Sequence, residues 1–259
     1  MYLTCSMMFK FIEAKFFDLF APIKSAMVVV YERCLLDDAL FWNVVSDLFG
    51  ANKYQKASYE VVWRECCKNV KRCLPDVFVY LKTPKETCVE RQVHRGRKEE
   101  EGVTTPDYLR RVFDAHQKLF IENVGEWTLC DGFQHGVFQS TDDWPEFKMF
   151  LKYVKSKPVF VIENNDLQTL STVIEHIRGI KGNDAHICMS GCIAAGKSTA
   201  LKRISKLSGC EVVPEPLAAW STDSVNLLSA FNQFPFQAAF EFQMAAFISR
   251  AFCHYSKNA

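Results

Sequence analysis

Residues 191–199 read GCIAAGKST and fit the phosphate-loop pattern G-x-x-x-x-G-K-[ST]. In this pattern the glycines free the backbone, so that successive N–H groups can point inward at phosphate oxygens. Lys197 would reach the β- and γ-phosphates of ATP, and the Ser198 hydroxyl would ligate Mg²⁺. The predicted phosphate contacts are Gly191, Ala194, Ala195, Gly196, Lys197, Ser198 and Thr199.

The elements on either side of this loop are those that the pattern requires. Residues 186–190 form a short apolar run typical of a buried parallel strand, and Leu201, Ile204 and Leu207 follow at helical spacing. A helix that begins at the loop adds its N-terminal dipole to the anion site. These flanking elements disfavour the alternative, a glycine-rich turn that matches the pattern by chance. A phosphate loop normally opens a domain, whereas this one lies late in the chain.

The composition is that of an ordinary globular protein. The 259 residues are 49% hydrophobic and 24% charged, which is enough to bury the core of one large α/β domain or of two small ones. The formal net charge is +1 and there is no long basic stretch, which argues against a nucleic-acid polymer as a partner. The eleven cysteines show no paired CxxC spacing and indicate buried thiols in a reducing compartment.

The apolar N-terminal stretch does not have the pattern of a membrane segment. Lys10, Glu13, Lys15 and Asp18 interrupt it, which argues against a signal sequence or a membrane span. Residues 2–20 instead have the pattern of an amphipathic helix. We therefore expect a soluble cytoplasmic protein with no membrane partner.

Apolar runs alternate with helical patterns, which predicts an α/β fold with a five-stranded parallel sheet and helices on both faces. The predicted strands span 27–31, 77–81, 158–162, 186–190 and 210–213. Helical patterns cover 35–72, 106–124, 166–180 and 236–255, and Thr83 can cap a further helix that begins at Pro84. Residues 125–145 look less regular, and 179–184 look like a linker. The charged, glycine-bounded segment 91–102 suits a mobile lid.

Six motifs together resemble those of the deoxynucleoside kinase family, of the deoxycytidine, deoxyguanosine and thymidine kinase type. They are the phosphate loop, VVPEPL at 212–217 with Trp220, the pair at 242–243, the pair at 249–250, YER at 31–33, and RQVHRGRKEE at 91–100. The order is unusual, because residues 1–180 resemble the family's C-terminal two thirds and residues 185–259 its N-terminal third. The chain therefore resembles one circularly permuted P-loop kinase domain. The phosphate-loop strand is expected at the centre, flanked by 27–31 and 77–81, with 210–213 and 158–162 at the edges.

A short repeat lies where the order changes. Residues 1–9 (MYLTCSMMF) align without a gap with residues 244–252 (MAAFISRAF), and both resemble the family helix that carries a base-reading glutamine. Two explanations stay open: a working permuted kinase, or a segment of a longer tandem array. Only one copy can fill the slot in the fold, and the N-terminal copy puts Met7 where the other puts Arg250.

The resemblance implies an ATP- and Mg²⁺-dependent kinase of nucleotide salvage that phosphorylates the 5′-hydroxyl of a deoxynucleoside. Glu215 would be the general base, and Lys197 and Arg33 would complete the catalytic set. Glu32 would hold Mg²⁺ together with Ser198. The alternatives are a turn carboxylate at Glu215 and a solvated ion pair at residues 32 and 33.

The lid segment would add further phosphate contacts. By resemblance, Arg91, Arg95 and Arg97 would clamp phosphates with their guanidinium groups, and a charged helix face is the alternative. Glu100 would contact the sugar 3′-hydroxyl, although the register within the glutamates at 99–101 stays open.

The resemblance also implies a nucleoside site. Gln243 carries an amide that can pair with a base edge, and Trp220 supplies an apolar wall, although each could be ordinary core or surface. Arg250 and Asp38 match an Arg–Asp pair of members that accept deoxycytidine or purine nucleosides, and Arg33 would also contact the nucleoside. This pair favours deoxycytidine, deoxyadenosine or deoxyguanosine over thymidine.

Three departures from the family pattern are visible. Asn232 stands where many members have a tyrosine that contacts the 3′-hydroxyl, and Cys34 replaces a serine. One extra residue near 104–106 leaves the placement of Tyr108 open.

Two functions of other classes compete with the kinase. One is a non-catalytic nucleotide-binding or assembly module, a fragment of a tandem array whose halves complete each other between chains as a domain-swapped oligomer. The other, a generic P-loop ATPase or nucleotide kinase, is disfavoured by Glu215, the Glu32-Arg33 pair and Gln243. We expect a homodimer that binds a deoxynucleoside and ATP.

Overall fold

The computed structural model describes residues 28–69, 74–96, 105–130, 133–139, 154–163, 167–181, 185–207, 209–220 and 226–257. Three predictions lie outside these residues: the helix at 2–20, the first copy of the repeat, and the part of the lid segment from residue 97 onward. Within the described part of the chain, no helix combines the length and the apolar character needed to cross a membrane.

A single sheet of seven strands forms the centre of the molecule. The strands are β1 (Val28–Glu32), β2 (Val77–Lys82), β3 (Val124–Cys130), β4 (Phe133–Phe138), β5 (Pro158–Glu163), β6 (Ala185–Ser190) and β7 (Cys210–Val213). Their order across the sheet is β3-β4-β5-β2-β6-β1-β7. The five strands predicted from apolar runs therefore lie in the predicted order, with β6 between β1 and β2.

These five strands are parallel to one another, as predicted. In register, Val30 of β1 lies opposite Ile187 of β6 and Val212 of β7. All residues of β1 are buried, so both faces of the sheet are covered here. Continuous burial explains why β1, β2, β5 and β6 appear in the sequence as apolar runs, whereas the edge strand β7 is only partly buried and contains Glu211.

The prediction of a five-stranded sheet was wrong, because β3 and β4 add an antiparallel hairpin beyond β5. Apart from its first residue, Val124, the hairpin lies within the stretch 125–145 that was predicted to be less regular. Its register shifts between Gly125 and Thr128, and Glu126 has a left-handed backbone with φ of 57°. Such a bulge breaks the alternation of inward and outward side chains that identifies a strand in a sequence.

Eight α-helices pack around the described sheet. They are α1 (Leu35–Leu48), α2 (Lys53–Asn69), α3 (Lys85–Arg95), α4 (Pro106–Gln117), α5 (Leu167–Lys181), α6 (Lys197–Ile204), α7 (Leu227–Gln233) and α8 (Pro235–Lys257). A π-helical turn at Lys118–Glu122 extends α4, and a 3₁₀ turn spans Leu217–Trp220.

Turn chemistry accounts for the differences from the predicted helices. The pattern at 35–72 is two helices, because Gly50 adopts a left-handed backbone and the Asn52 side chain accepts the first N–H groups of α2. The short helix α7 was not predicted, although Asn226 caps it and Pro235 begins the next helix. Thr83 is not a cap, because Pro84 takes the N-cap position and the Thr83 hydroxyl donates to the carbonyl oxygen of Ala195.

The cysteines whose side chains the structure describes are free thiols, and all of them except Cys210 are buried. The prediction of buried thiols therefore holds for this part of the chain.

Candidate active site

A cavity of about 650 Å³ opens at the carboxyl ends of β6, β1 and β7. Because these strands are parallel neighbours, the residues that follow them meet at one edge of the sheet. Gly191 follows β6, Arg33 follows β1, and Pro214 and Glu215 follow β7. Helices α1, α3, α4, α7 and α8 supply the other walls.

Most of the predicted site residues line this cavity. They are Glu32, Arg33, Asp38, Arg91, Arg95, Ala194, Gly196, Lys197, Ser198, Thr199, Glu215, Trp220, Gln243 and Arg250. Gly191 and Ala195 belong to the same glycine-rich loop without lining the cavity. Arg97 and Glu100 lie outside the described residues.

The glycine-rich loop, residues 191–196, has a backbone that ordinary residues rarely adopt. Gly191 has φ of 153°, and a Cβ at this position would lie 3.0 Å from the carbonyl oxygen of Leu81. Gly196, with φ of 99°, is the N-cap of α6, and Ala194 is left-handed with φ of 61°. The loop thus leads directly into a helix N-terminus, where N–H groups and the helix dipole favour a phosphate.

Lys197 is a buried cation at the start of α6 and is only 4% exposed. Its Nζ donates hydrogen bonds to the carbonyl oxygens of Gly191 and Cys192 at 2.9 and 2.8 Å. Burial and the nearby Arg33 lower the pKa of Lys197 to about 8, against the opposing effect of the carboxylates of Glu32 and Glu215.

Ser198 and Glu32 bring hard oxygen ligands together at the cavity wall. The Ser198 hydroxyl lies 3.0 and 3.2 Å from the two carboxylate oxygens of Glu32. A hydroxyl and a carboxylate are the kinds of ligand that Mg²⁺ binds beside nucleotide phosphates. These two residues therefore fit the predicted metal.

Glu215 lies between two guanidinium groups. Arg33 Nη1 and Arg250 Nη2 both donate to Glu215 Oε1, at 2.6 and 2.5 Å. Arg250 also forms an ion pair with the buried Asp38 of α1. The four side chains fix one another and orient the carboxylate at the cavity.

Both guanidinium groups stay charged at neutral pH. Burial alone would lower the pKa of Arg33, but the carboxylate of Glu215 raises it on balance. Burial and the neighbouring Arg33 lower the pKa of Arg250 to about 9. The Arg33 guanidinium lies over the Phe41 ring at 4.6 Å, and that of Arg250 lies over Trp220 at 5.4 Å, which adds cation–π contacts.

The lid-segment arginines that the structure describes lie on α3. Arg91 Nη1 donates to the carbonyl oxygen of Ala195 at 3.4 Å, so α3 contacts the glycine-rich loop directly. Arg91 and Arg95 both line the cavity beside this loop. Guanidinium groups in this position can contact phosphate oxygens.

Aromatic side chains form the other end of the cavity. Trp220 and Phe242 meet edge to face at 5.3 Å, and Phe231 stacks on Phe242 at 5.1 Å. Gln243 lies beside them on α8 and is only 2% exposed. Together these groups make a flat apolar surface with an amide at its edge, which suits a nucleobase.

The helix that places Gln243 at the cavity is α8, which contains the C-terminal copy of the repeat, residues 244–252. Gln243 and Arg250 both belong to it and line the cavity. Trp220 Nε1 donates to the hydroxyl of Ser249 on the same helix at 3.0 Å. Asn232, on α7, also lines the cavity and donates to the carbonyl oxygen of Leu228 at 2.7 Å.

Sequence reasoning missed Phe41 and Phe231 as cavity residues, and it left open the placement of Tyr108, which also lines the cavity. Phe41 follows Asp38 by three positions on α1, so the two share one helix face, and this spacing was an available signal. Phe231 lies on α7, a helix that was not predicted, so no helical spacing could relate it to the other site residues. A buried aromatic residue has the same pattern in a sequence whether it faces the core or a ligand.

A mostly parallel α/β sheet, with a glycine-rich loop that opens a helix at its carboxyl edge, fits the P-loop kinases. The model of the deoxynucleoside kinase family matches residues 3–179 and 187–258. The chain therefore belongs to the deoxynucleoside kinase family, a family of nucleotide-binding transferases, and this membership supports a nucleoside kinase activity in general. No curated protein and no solved structure matches the chain.

Proposed function

We propose that this protein is an ATP-dependent deoxynucleoside kinase that transfers the γ-phosphoryl group to the 5′-hydroxyl of a deoxynucleoside. The observation that carries the proposal is the position of Glu215. This carboxylate shares one cavity with the glycine-rich loop and Lys197 on one side and with the aromatic end on the other. A base between a phosphate site and a nucleobase-sized apolar surface is the arrangement that 5′-phosphorylation needs.

Glu215 accepts the proton of the nucleoside 5′-hydroxyl while the oxygen of that hydroxyl attacks the γ-phosphorus of ATP. The bond from this phosphorus to the bridging oxygen breaks, and ADP leaves. Lys197 and Arg33 stabilise the negative charge on the phosphoryl oxygens during transfer, and Arg91 and Arg95 contact the phosphates from α3. Arg33 also orients Glu215 through their hydrogen bond.

Ser198 and Glu32 would hold Mg²⁺, since their oxygens already meet at the wall beside Lys197. When bound, the metal neutralises phosphate charge. Hydroxyl and carboxylate oxygens are the only groups that the chain needs to contribute for this purpose.

For the nucleoside, we propose that Gln243 pairs with the base edge while Trp220 bounds the base plane. Arg250 and Asp38 favour deoxycytidine or a purine deoxynucleoside, because they match the Arg–Asp pair of family members that accept these nucleosides; the two side chains form an ion pair at the cavity. A contact from Glu100 to the 3′-hydroxyl and a phosphate contact from Arg97 stay predictions.

We further propose that residues 1–180 and 185–259 form one circularly permuted domain. The family matches the chain in two separate segments, and strands of both segments alternate in one sheet. Nucleotide salvage in the cytoplasm and a homodimeric state belong to the same proposal.

A nucleoside panel tests the function. The wild-type protein, given ATP and Mg²⁺, should phosphorylate at least one of deoxycytidine, deoxyadenosine, deoxyguanosine and thymidine at the 5′ position. Lys197→Ala and Glu215→Gln should each lower kcat at least about 100-fold, because they remove a phosphate cation and the base. Thermal unfolding should show that both variants remain folded.

Lys202→Ala is the matched control, since Lys202 is an exposed lysine on the same helix as Lys197. It should keep the wild-type rate. An active Glu215→Gln protein would remove Glu215 as the base. ATP hydrolysis without a nucleoside product would identify a generic ATPase instead, and phosphorylation of nucleoside monophosphates would identify a nucleotide kinase.

A further inference from the structure

Asp37 is a charged residue in the interior of the protein, with 0% of its surface exposed. It lies in the first turn of α1, one position before Asp38, but it does not line the cavity. None of the chemistry described above uses it. A buried carboxylate needs hydrogen-bond donors around it, so its partners indicate what it holds in place.

The partners of Asp37 come from two strands that end at the cavity. Oδ2 accepts the backbone N–H of Cys34 at 3.0 Å and the thiol of Cys188 at 3.5 Å. Oδ1 accepts the hydroxyl of Ser190. Cys34 directly follows Arg33, and Ser190 directly precedes Gly191, so one carboxylate joins the turn after β1 to the last residue of β6, immediately before the glycine-rich loop.

The turn at Arg33 depends on this carboxylate. Arg33 has a left-handed backbone with φ of 67°, which a side chain with a Cβ adopts only when the surroundings enforce it. Its own N–H donates to the carbonyl oxygen of Met189 at 3.0 Å, and the next N–H donates to Asp37. Strand β6 therefore fixes one peptide group beside Arg33, and Asp37 fixes the other.

Asp37 acts here as an acceptor only. Burial alone would raise its pKa, but His116, Ser190 and the N–H of Cys34 lower the pKa on balance, so the group is ionised. His116 lies beside this carboxylate, with Nδ1 2.7 Å from the carbonyl oxygen of Val112 and Nε2 3.8 Å from Asp37 Oδ1. An asparagine would keep the shape but replace one acceptor oxygen by an NH₂ donor.

We propose that Asp37 is a positioning residue for phosphoryl transfer, which holds the Glu32-Arg33 turn and the start of the glycine-rich loop in one fixed geometry. This inference rests on the proposed kinase function. Arg33 orients Glu215 and Gly191 accepts a hydrogen bond from Lys197, so a shift on either side changes the distance between the base and the phosphate site. Misalignment of this kind lowers kcat more than it raises KM.

The test compares Asp37→Asn, Ser190→Ala and the double variant with the wild-type protein. For each, kcat and the KM values for ATP and for the accepted nucleoside are measured, together with the thermal midpoint. Asp37→Asn should lower kcat at least about tenfold and change either KM less than about threefold. The double variant should resemble Asp37→Asn alone, because both changes break the same link.

Ser46→Ala is the matched control. Ser46 is a buried residue of the same helix whose hydroxyl donates to the carbonyl oxygen of Asn43, away from the cavity. This variant should keep the wild-type kcat. If Asp37→Asn does not fold, Ser190→Ala decides, since it keeps the carboxylate and removes one contact. It should then lower kcat at assay temperatures well below its thermal midpoint, which the lost hydrogen bond also lowers.

Three results would overturn the positioning role: a wild-type kcat in the decisive variant, independent effects that add in the double variant, or an equal loss in Ser46→Ala. An inactive wild-type protein would instead overturn the proposed function, and this inference with it.

Discussion

At the scale of single residues, two of the four non-glycine residues with positive φ in the described part of the chain lie where chemistry is proposed. Arg33 and Ala194 are non-glycine residues with positive φ, and both line the cavity. Each is held by neighbours that fix its peptide groups: Met189 and Asp37 for Arg33, and the glycine-rich loop itself for Ala194. Such conformations cost energy and persist only where the surroundings enforce them, so they indicate a backbone shaped for a site.

The charge state of Lys197 gives a prediction about pH. Its pKa of about 8 means that the free protein loses this charge as the pH rises through 8, whereas bound phosphates stabilise the ammonium form. Nucleotide binding is then accompanied by proton uptake, and affinity falls as the pH rises. The Kd for MgADP should increase about tenfold between pH 7.5 and 9.0. Calorimetry in two buffers of different ionisation enthalpy measures both quantities.

Lys197→Arg is the control for this prediction, because a guanidinium keeps its charge throughout the range. This variant should bind MgADP with lower affinity, but its Kd should stay constant with pH. If the wild-type Kd is constant as well, or if both proteins show the same slope, Lys197 is not the titrating group.

At the scale of elements, the sequence predicted the strands that appear as continuous runs of apolar residues. Four of the five parallel strands are largely buried on both faces and appear as apolar runs, whereas the edge strand β7 is only partly buried and contains Glu211. The bounds of all five differ from the prediction by at most one residue at either end. The hairpin β3–β4 and the break between α1 and α2 were not predicted. Both depend on left-handed residues, Glu126 and Gly50, whose effect on a neighbouring pattern is local.

The candidate site divides in the same way. Residues in sequence motifs, such as Lys197 and Glu215, were predicted because motif chemistry fixes their spacing. Asp37 and Phe41 were not predicted, because α1 is buried on several sides and shows no polar stripe that separates cavity from core. The role of Asp37 depends on its contact with Ser190 of β6, which lies 153 positions away in the sequence. Phe41 lies close to Arg33 in the sequence, but only the fold places the Arg33 guanidinium over its ring.

We expect the contact between helices α1 and α8 to determine which nucleoside the protein prefers. Arg250 of α8 pairs with the buried Asp38 of α1, and both line the cavity. Replacing Arg250 alone would leave a buried carboxylate without its partner, so both residues are changed together, to Met and Ala. The ratio of kcat/KM for thymidine to that for deoxycytidine should rise at least about tenfold.

This ratio is the informative quantity, because Arg250 also contacts Glu215 and its loss lowers turnover with every nucleoside. Arg250→Lys serves as the control for charge, since it keeps a cation between the two carboxylates but loses the guanidinium fork. Its ratio should lie between the wild-type value and that of the double variant. An unchanged ratio in the double variant would show that the pair does not read the base.

At the scale of the whole molecule, the candidate active site contains residues from both segments of the chain. Strand β6 lies between β1 and β2, so a strand from beyond residue 180 is inserted between two strands from the first half. Glu32 and Arg33 come from the first segment, and Lys197 and Glu215 come from the second. A complete site therefore forms either within one permuted chain or between two chains that exchange segments.

Complementation between two inactive variants separates these arrangements. Arg33→Ala disables the first segment and Lys197→Ala the second, and the two proteins are unfolded, mixed in equal amounts and refolded together. If each chain builds its own site, as we expect, every site carries one lesion and the mixture stays inactive. If chains exchange segments, random pairing gives about a quarter of the wild-type activity, since half of the pairs are mixed and half of their sites are intact.

Dilution gives an independent measurement. If each chain builds its own site, the rate per chain should not depend on protein concentration. If chains exchange segments, the rate per chain should fall as the assembly dissociates. Recovery of activity in the mixture would therefore show that the repeat marks an exchange between chains and that the working unit is an assembly.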